Sequence, residues 1–339
     1  MKKLFTFFLF CCGAAKAQSP EPVVTAFSSL RIPASSRGLS MGDAGIASAV
    51  ENQSLYYNAS KTAFTQNFHQ VSVSYTPWLT AVSKDTRFIA LHYLGNISNT
   101  SAIGVGINYL NLGSIETRDN NGATIAAYHS REFNIGLSYA LQFGSNASLG
   151  LAFKFLGQNI FSDVPKNIYS VCGDISYYQF ADLGDAGGRI EWGAVVSNLG
   201  PKVNVPGMQA KTPLPFTLGL GIGYKMAEGE GDNSFSVCAD LNKLLVPEII
   251  GELRDIRIST GIEYGYVGEF FLRGGVSLEN QLRGNRKFFS LGIGYKGFVL
   301  DQSWGIDFHY IVPFGTLAAV SPFQNSCGFT LKMNLGNFQ

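Results

Sequence analysis

Val71-Ser-Val-Ser-Tyr75, Val105-Gly-Ile-Asn-Tyr109, Ile135-Gly-Leu-Ser-Tyr139, Leu220-Gly-Ile-Gly-Tyr224, Leu291-Gly-Ile-Gly-Tyr295 and Ile306-Asp-Phe-His-Tyr310 are six versions of one phrase. Each alternates an apolar residue with a small or polar one and closes on tyrosine. Successive side chains of a strand point to opposite faces, so this alternation specifies extended chain with one oily side and one hydrophilic side. In a soluble β-sandwich the oily side would be the inner one, and aromatics would serve cross-strand packing. Here the opposite side carries mostly Gly, Ser, Asn, Asp and His, residues suited to a lumen. Tyrosine ends the oily side of strand after strand, as in an aromatic girdle at a membrane interface. The fold class expected is an all-β membrane protein, an antiparallel outer-membrane barrel.

The same alternation marks strands at about 70–76, 85–94, 101–112, 130–143, 146–156, 168–180, 190–199, 214–226, 233–242, 255–266, 268–279, 287–296, 302–312 and 326–335. Their number is about fourteen, even as single-chain bacterial barrels require. Short periplasmic turns and long outer loops should alternate. With a periplasmic amino terminus, 143–146, 266–268 and 296–302 fall on the inner side and are short, whereas 112–130, 199–214, 242–255 and 312–326 fall on the outer side and are long. The 180–190 and 226–233 connections and the short one at 76–85 depart from that rule. This bookkeeping puts Tyr139, Tyr177, Tyr224, Tyr264 and Tyr295 at the inner rim and Tyr75, Tyr109 and Tyr310 at the outer rim.

Three domains are expected. Residues 1–17 read as an export signal: Met1-Lys-Lys, then Leu4-Phe-Thr-Phe-Phe-Leu-Phe10, then Ala15-Lys-Ala17 as a small-x-small cleavage site. Residues 18–68 lose the period of two and read as an amino-terminal plug of short helices and glycine turns, with Gly42, Asp43, Gly45 and Asn58 as its marker residues. Residues 69–339 form the transmembrane barrel. Past the signal no apolar run reaches the roughly 20 residues of a spanning helix, so strands of about 9 to 11 residues must cross. Cell outer membrane is the location implied, with outer-membrane lipid or lipopolysaccharide against the oily face. A net charge of +1 gives no reason to expect nucleic acid as a partner. Cys172, Cys238 and Cys327 sit singly in strand patterns and read as small hydrophobes rather than a disulfide framework.

Several segments resemble a known family. Met41-Gly-Asp-Ala-Gly-Ile-Ala47 and Asn52-Gln-Ser-Leu-Tyr-Tyr-Asn-Ala59 look like the plug region of FadL-type barrels. Arg37-Gly-Leu-Ser-Met-Gly-Asp-Ala-Gly45, Asn58 to Phe64, Ser74-Tyr-Thr-Pro-Trp-Leu79 and Asn108-Tyr-Leu-Asn-Leu-Gly-Ser-Ile115 are more similar still to the PorV family of the type IX secretion system. Ala59-Ser60 stands where the FadL-type pattern has Pro-Ala, and Leu55-Tyr-Tyr57 replaces a more polar stretch. The resemblance implies a FadL-like barrel without catalysis or cofactor. It also implies partners: the large type IX translocon barrel, secreted cargo bearing a carboxy-terminal signal domain, and the sortase attachment complex. A FadL-like transporter of hydrophobic small molecules is the alternative, and a lipid A deacylase a further one.

Chemistry-bearing motifs are sparse. Gly38-Leu-Ser-Met-Gly42 matches the Gly-x-Ser-x-Gly of hydrolase nucleophiles, but Ile32-Pro-Ala-Ser precedes it where a nucleophile elbow needs a strand. His69, His92, His129 and His309 lack metal-ligand spacing. Gly221, Gly223, Gly292 and Gly294 suit close approach of the plug to the wall rather than a phosphate loop, since no helix follows them. No catalytic, metal or cofactor residue is therefore expected. Recognition is expected on the outer loops, where Trp78, Leu79, Leu244, Leu245, Ile249, Phe314 and Phe323 are apolar beyond the membrane. Such residues either meet a partner or fold inward over the lumen.

Overall fold

The computed structural model describes residues 23–65, 69–78, 85–119, 121–159, 167–184, 187–206, 208–226, 232–246, 256–280, 283–299, 302–315, 318, 321, 323–324, 326 and 327–336. Among them fourteen strands follow an amino-terminal segment. The first seven are β1 (His69–Pro77), β2 (Arg87–Ser98), β3 (Ser101–Arg118), β4 (Thr124–Phe143), β5 (Ala147–Asn159), β6 (Ile168–Asp182) and β7 (Arg189–Leu199). The rest are β8 (Thr217–Lys225), β9 (Ser234–Leu244), β10 (Ile256–Tyr266), β11 (Phe270–Leu278), β12 (Lys287–Val299), β13 (Gln302–Pro313) and β14 (Cys327–Asn334). Each pairs antiparallel with its chain neighbours, and β1 pairs β14 from Gln70 opposite Asn334 to Tyr75 opposite Phe329. The sheet is thus a closed barrel with no free edge, which lets strands cross hydrocarbon with their backbone groups paired.

Burial follows the period of two. On β4, Ile135, Leu137, Tyr139 and Leu141 are exposed on the outside, while Glu132, Asn134, Ser138 and Ala140 on the opposite face are buried. Leu151, Leu272 and Leu291 on β5, β11 and β12 are 59 to 62% exposed. A contiguous belt of such residues is far larger than the apolar patches of soluble monomers and is the surface that lipid covers. The largest difference from the expected strand boundaries lies between β3 and β4. The stretch 112–130 is not one long loop, because β3 runs to Arg118 and β4 starts at Thr124. Asp119 makes the tight turn, its Oδ1 accepting from the Asn121 and Ala123 amides, with Gly122 at φ 83°. Residues on both sides of this hairpin tip are exposed, so no oily face announced its strands.

The amino-terminal segment packs against the inward faces of the strands. It contains a 3-10 turn at Ser28–Arg31, helices α1 (Ser36–Ser40) and α2 (Ser54–Tyr57), and a second 3-10 turn at Ala59–Phe64. Ser35 caps α1 by accepting from the Gly38 amide at 3.0 Å, and Asn58 caps the last turn by accepting from Ser60 at 3.1 Å. Glycines on both partners set how near the segment sits. Gly42 has φ 71°, and a Cβ there would meet the carbonyl oxygens of Val276 at 2.5 Å and Thr260 at 2.6 Å. Opposite it, Gly261 and Gly275 face each other across β10 and β11 and lie under Met41 and Gly42.

Gly42→Ala is therefore expected to lower stability by more than the roughly 1–3 kcal/mol of left-handed strain alone. Gly122→Ala, also at positive φ but with open space around it, should show the strain only. The temperature at which each variant loses its folded gel mobility measures the difference. Equal shifts would show that the segment is not pressed against the wall at Gly42.

Candidate functional site: the lumen and its outer lid

Inward-facing charges on four strands join the amino-terminal segment to the barrel. Arg37 of α1 grips Glu263 of β10 with two parallel hydrogen bonds of 2.8 Å. Arg273 of β11 donates to the same carboxylate at 2.5 Å and to Asp307 of β13 at 2.7 Å. Lys332 of β14 pairs with Asp307 at 2.5 Å and reaches back to Glu51 at 3.7 Å, while Glu51 accepts from Ser35 at 2.9 Å. The chain of charges starts and ends in the amino-terminal segment. Every member but Lys332 is buried, so each depends on its neighbours for solvation.

The residues singled out as plug markers lie along the same contact. Gly42 is at the wall. Asp43, at φ 63°, pairs with Arg257 of β10 and accepts from the Tyr57 hydroxyl at 3.1 Å. The Gly45 and Ile46 amides donate to Asp240 of β9 at 2.6 and 3.0 Å. Asn58 donates to the carbonyls of Ile46 at 3.0 Å and Tyr177 of β6 at 3.1 Å. Lys61 is fully buried and donates to the Gly45 carbonyl at 2.5 Å and to the Ser48 carbonyl at 3.1 Å. Burial pushes its ammonium down to about 8. Cavities bounded by this segment measure about 80, 40 and 20 Å³, room for a few waters.

At the end of the barrel that carries the long connections, loops fold over the lumen. Trp78 follows β1 and is 6% exposed; its ring meets Phe323 edge-on at 5.0 Å, and Phe323 meets Phe288 at 5.1 Å. Ile32, Ala34, Leu39, Phe88, Ala90, Leu110 and Ile311 complete this apolar cluster, which ties β2, β3, β12, β13 and the end of β1 to the amino-terminal segment. Leu244 is buried, and Leu245 is half-buried with its amide donating to Phe216 at 2.8 Å. Phe314 is half-buried and stacks on Phe289 at 4.5 Å. Leu79 and Ile249 lie outside the described residues. Of the apolar outer-loop candidates, Trp78, Leu244 and Phe323 thus face inward, and Leu245 and Phe314 stay at the rim.

The hydrolase motif folds into α1, where the Ser40 hydroxyl is buried and donates to the Arg37 carbonyl at 2.7 Å. His309 Nδ1 lies 3.0 Å from Ser36, not Ser40. His92 also faces the lumen, 3.0 Å from Asn108. Gly221 and Gly223 pack under Ile46 and Ala47, and Gly292 under Ser40. Cys172 and Cys238 are buried free thiols and Cys327 is an exposed one. Sequence reasoning missed the charge chain. Its signal was present in Glu263, Arg273 and Asp307, each a charge on the small-residue side of an alternating strand.

Residues 15–250 match the family model described as type IX secretion system protein PorV. No curated protein matches the sequence. Among solved structures the chain is similar to the Pseudomonas putida toluene transporter TodX, at 12% identity and TM-score 0.58 over 88% of this chain and 96% of that one. It is similar to the TodX deltaS2S3 mutant, a monoaromatic hydrocarbon channel, at 12% identity and TM-score 0.60 over 90% and 99%. The Ralstonia pickettii toluene transporter TbuX aligns at 11% identity and TM-score 0.53 over 90% and 98%. Identities this low establish a shared closed-barrel fold and nothing finer. The family match spans well over half of the closed, lipid-belted barrel described above, and the chain accordingly belongs to the PorV family of type IX secretion system outer-membrane barrels.

Proposed function

We propose that this barrel is a non-enzymatic docking component of type IX secretion, with residues 18–68 acting as a plug that keeps its lumen shut. In this reading it binds the large translocon barrel and the carboxy-terminal signal domains of secreted proteins, and it passes that cargo to the sortase attachment complex. The observation that carries the reading is the buried charge chain from Arg37 through Glu263, Arg273, Asp307 and Lys332 to Glu51. A route for apolar molecules would need an apolar, roomy passage. Polar groups and cavities of about 80 Å³ or less fill the same space instead. The engaged hydroxyl of Ser40 likewise disfavours deacylation. With strands committed to lipid and lumen, recognition falls to the outer rim. Leu245 and Phe314 supply apolar contact there, joined by Ile249 from the β9–β10 loop and Leu79 from the β1–β2 loop, while Trp78 and Phe323 hold the lid that shapes the rim.

Affinity purification from native membranes in mild detergent tests the partners. Recovery of a very large barrel and of secreted proteins is the expected result; stoichiometric fatty acid with no protein partner would instead make this a transporter. The double change Leu245→Ala, Phe314→Ala should reduce partner recovery several-fold while leaving heat-modifiable mobility intact, and full recovery would remove this rim from the interface.

The plug has its own test. Glu263→Ala leaves Arg37 and Arg273 facing each other without their shared carboxylate, a change expected to cost about 3–5 kcal/mol. Thermal loss of the folded band should come markedly earlier, and planar-bilayer recordings should show conductance absent from the unaltered protein. An unaltered melting profile together with unaltered conductance would mean that the charge chain does not hold the lumen closed.

A further inference from the structure

An interior cavity of about 80 Å³ lies between the amino-terminal segment and the inner faces of β5 and β7 to β10. Arg31, Arg257 and Arg286 line it together with Tyr56, Asp43 and Glu279. Three guanidinium groups from three separate stretches of chain meet two carboxylates here. The remaining charges that line the cavity are engaged elsewhere. Lys154 pairs with Asp174 at 2.6 Å, and Asp240 accepts the Gly45 and Ile46 amides.

Guanidinium carries five N–H donors in a fixed fork, and burying them without acceptors is costly. Arg31 uses one nitrogen, Nη2, donating to Glu279 at 2.6 Å and to the Arg283 carbonyl at 2.8 Å. Among the described residues Arg257 donates to Asp43. Arg286 is 8% exposed, yet among the described residues its nearest acceptors are Glu279 at 3.6 Å and Asp43 at 3.7 Å, beyond hydrogen-bond distance. Arg286 is thus held by two long ion pairs and lines the cavity. Burial, and then the like charge of Arg286, pull Arg31 down to about 10.

We propose that this cavity is a binding site for one compact oxyanion, a phosphate or a carboxylate, held by the forks of Arg286, Arg257 and Arg31. A space of about 80 Å³ admits a phosphate-sized group and excludes an acyl chain. Arginine forks match the planar and tetrahedral oxygens of such groups, and the desolvated setting strengthens each bond. Because the lining comes from the amino-terminal segment, from β10 and from the β11–β12 connection, a bound oxyanion would cross-link all three and stabilise the closed lumen.

Purified full-length protein in detergent is titrated with sodium phosphate and, separately, with sodium acetate, with sodium chloride at matched ionic strength as control. Calorimetry and the temperature of loss of the folded band are the readouts. Saturable binding with a rise in that temperature beyond the chloride control is expected for phosphate, for acetate or for both, the stronger naming the ligand class. Arg286→Gln should weaken it at least tenfold, while Lys202→Gln, on the exposed outer loop, should not. Should Arg286→Gln fail to run as a folded barrel, Arg257→Gln carries the same comparison. A response equal to that of chloride, or one that survives loss of the guanidinium, overturns the site.

Discussion

In hydrocarbon no water replaces a missing hydrogen bond, so every backbone donor and acceptor of a spanning segment must find its partner within the protein. The pairing of β1 with β14 meets that demand here. Closure places one face of every strand against lipid and the other around an enclosed space. Side chains with no business in lipid collect inside, and whatever fills the space must satisfy them. The position of the amino-terminal segment, the glycines of the inner wall and the charge chain all follow from this.

Two devices fill the interior, and they act in different halves of the problem. Glycines at 221, 223, 261, 275 and 292 remove side chains from the wall so that backbone can lie on backbone, which yields dispersion contacts but no polarity. Charges do the opposite. Glu263 is shared by two arginines, Asp307 by an arginine and a lysine, and each bond fixes an element that the glycine contacts only brought near. Buried ion pairs contribute little net stability compared with apolar packing, but a missing member leaves an unpaired charge. They therefore fix the placement of the segment more than they strengthen the barrel.

The sequence made the barrel legible because its periodicity is local: an alternation over five residues, repeated, needs no knowledge of what pairs with what. All fourteen strands were visible that way. The β3–β4 tip was not, since beyond the membrane both faces of a hairpin are wet and the alternation vanishes. Nor were the partners of Arg37 or Arg31, which lie 226 and 248 residues away in the chain. The direction of the outer loops was also undecidable, because an apolar residue at a loop reads the same whether it caps a lumen or meets a partner. Trp78 went inward because Phe323 and Phe288 offer it an apolar pocket that only the closed barrel assembles.

Similarity to toluene transporters at 11 to 12% identity sharpens a distinction between scaffold and content. A fourteen-stranded wall constrains the outer face to be apolar and the inner face to be small or polar, and it leaves the lumen's filling free. An interior meant for apolar molecules needs an apolar path with few polar groups. An apolar solute beside Arg37, Glu263, Arg273, Asp307 and Lys332 would strip their hydrogen bonds without replacing any. The surfaces left free to differ are the rim and the loops. In this chain the loops already bury Trp78 and Phe323 in the lid, so what the rim presents outward is set by how that lid packs.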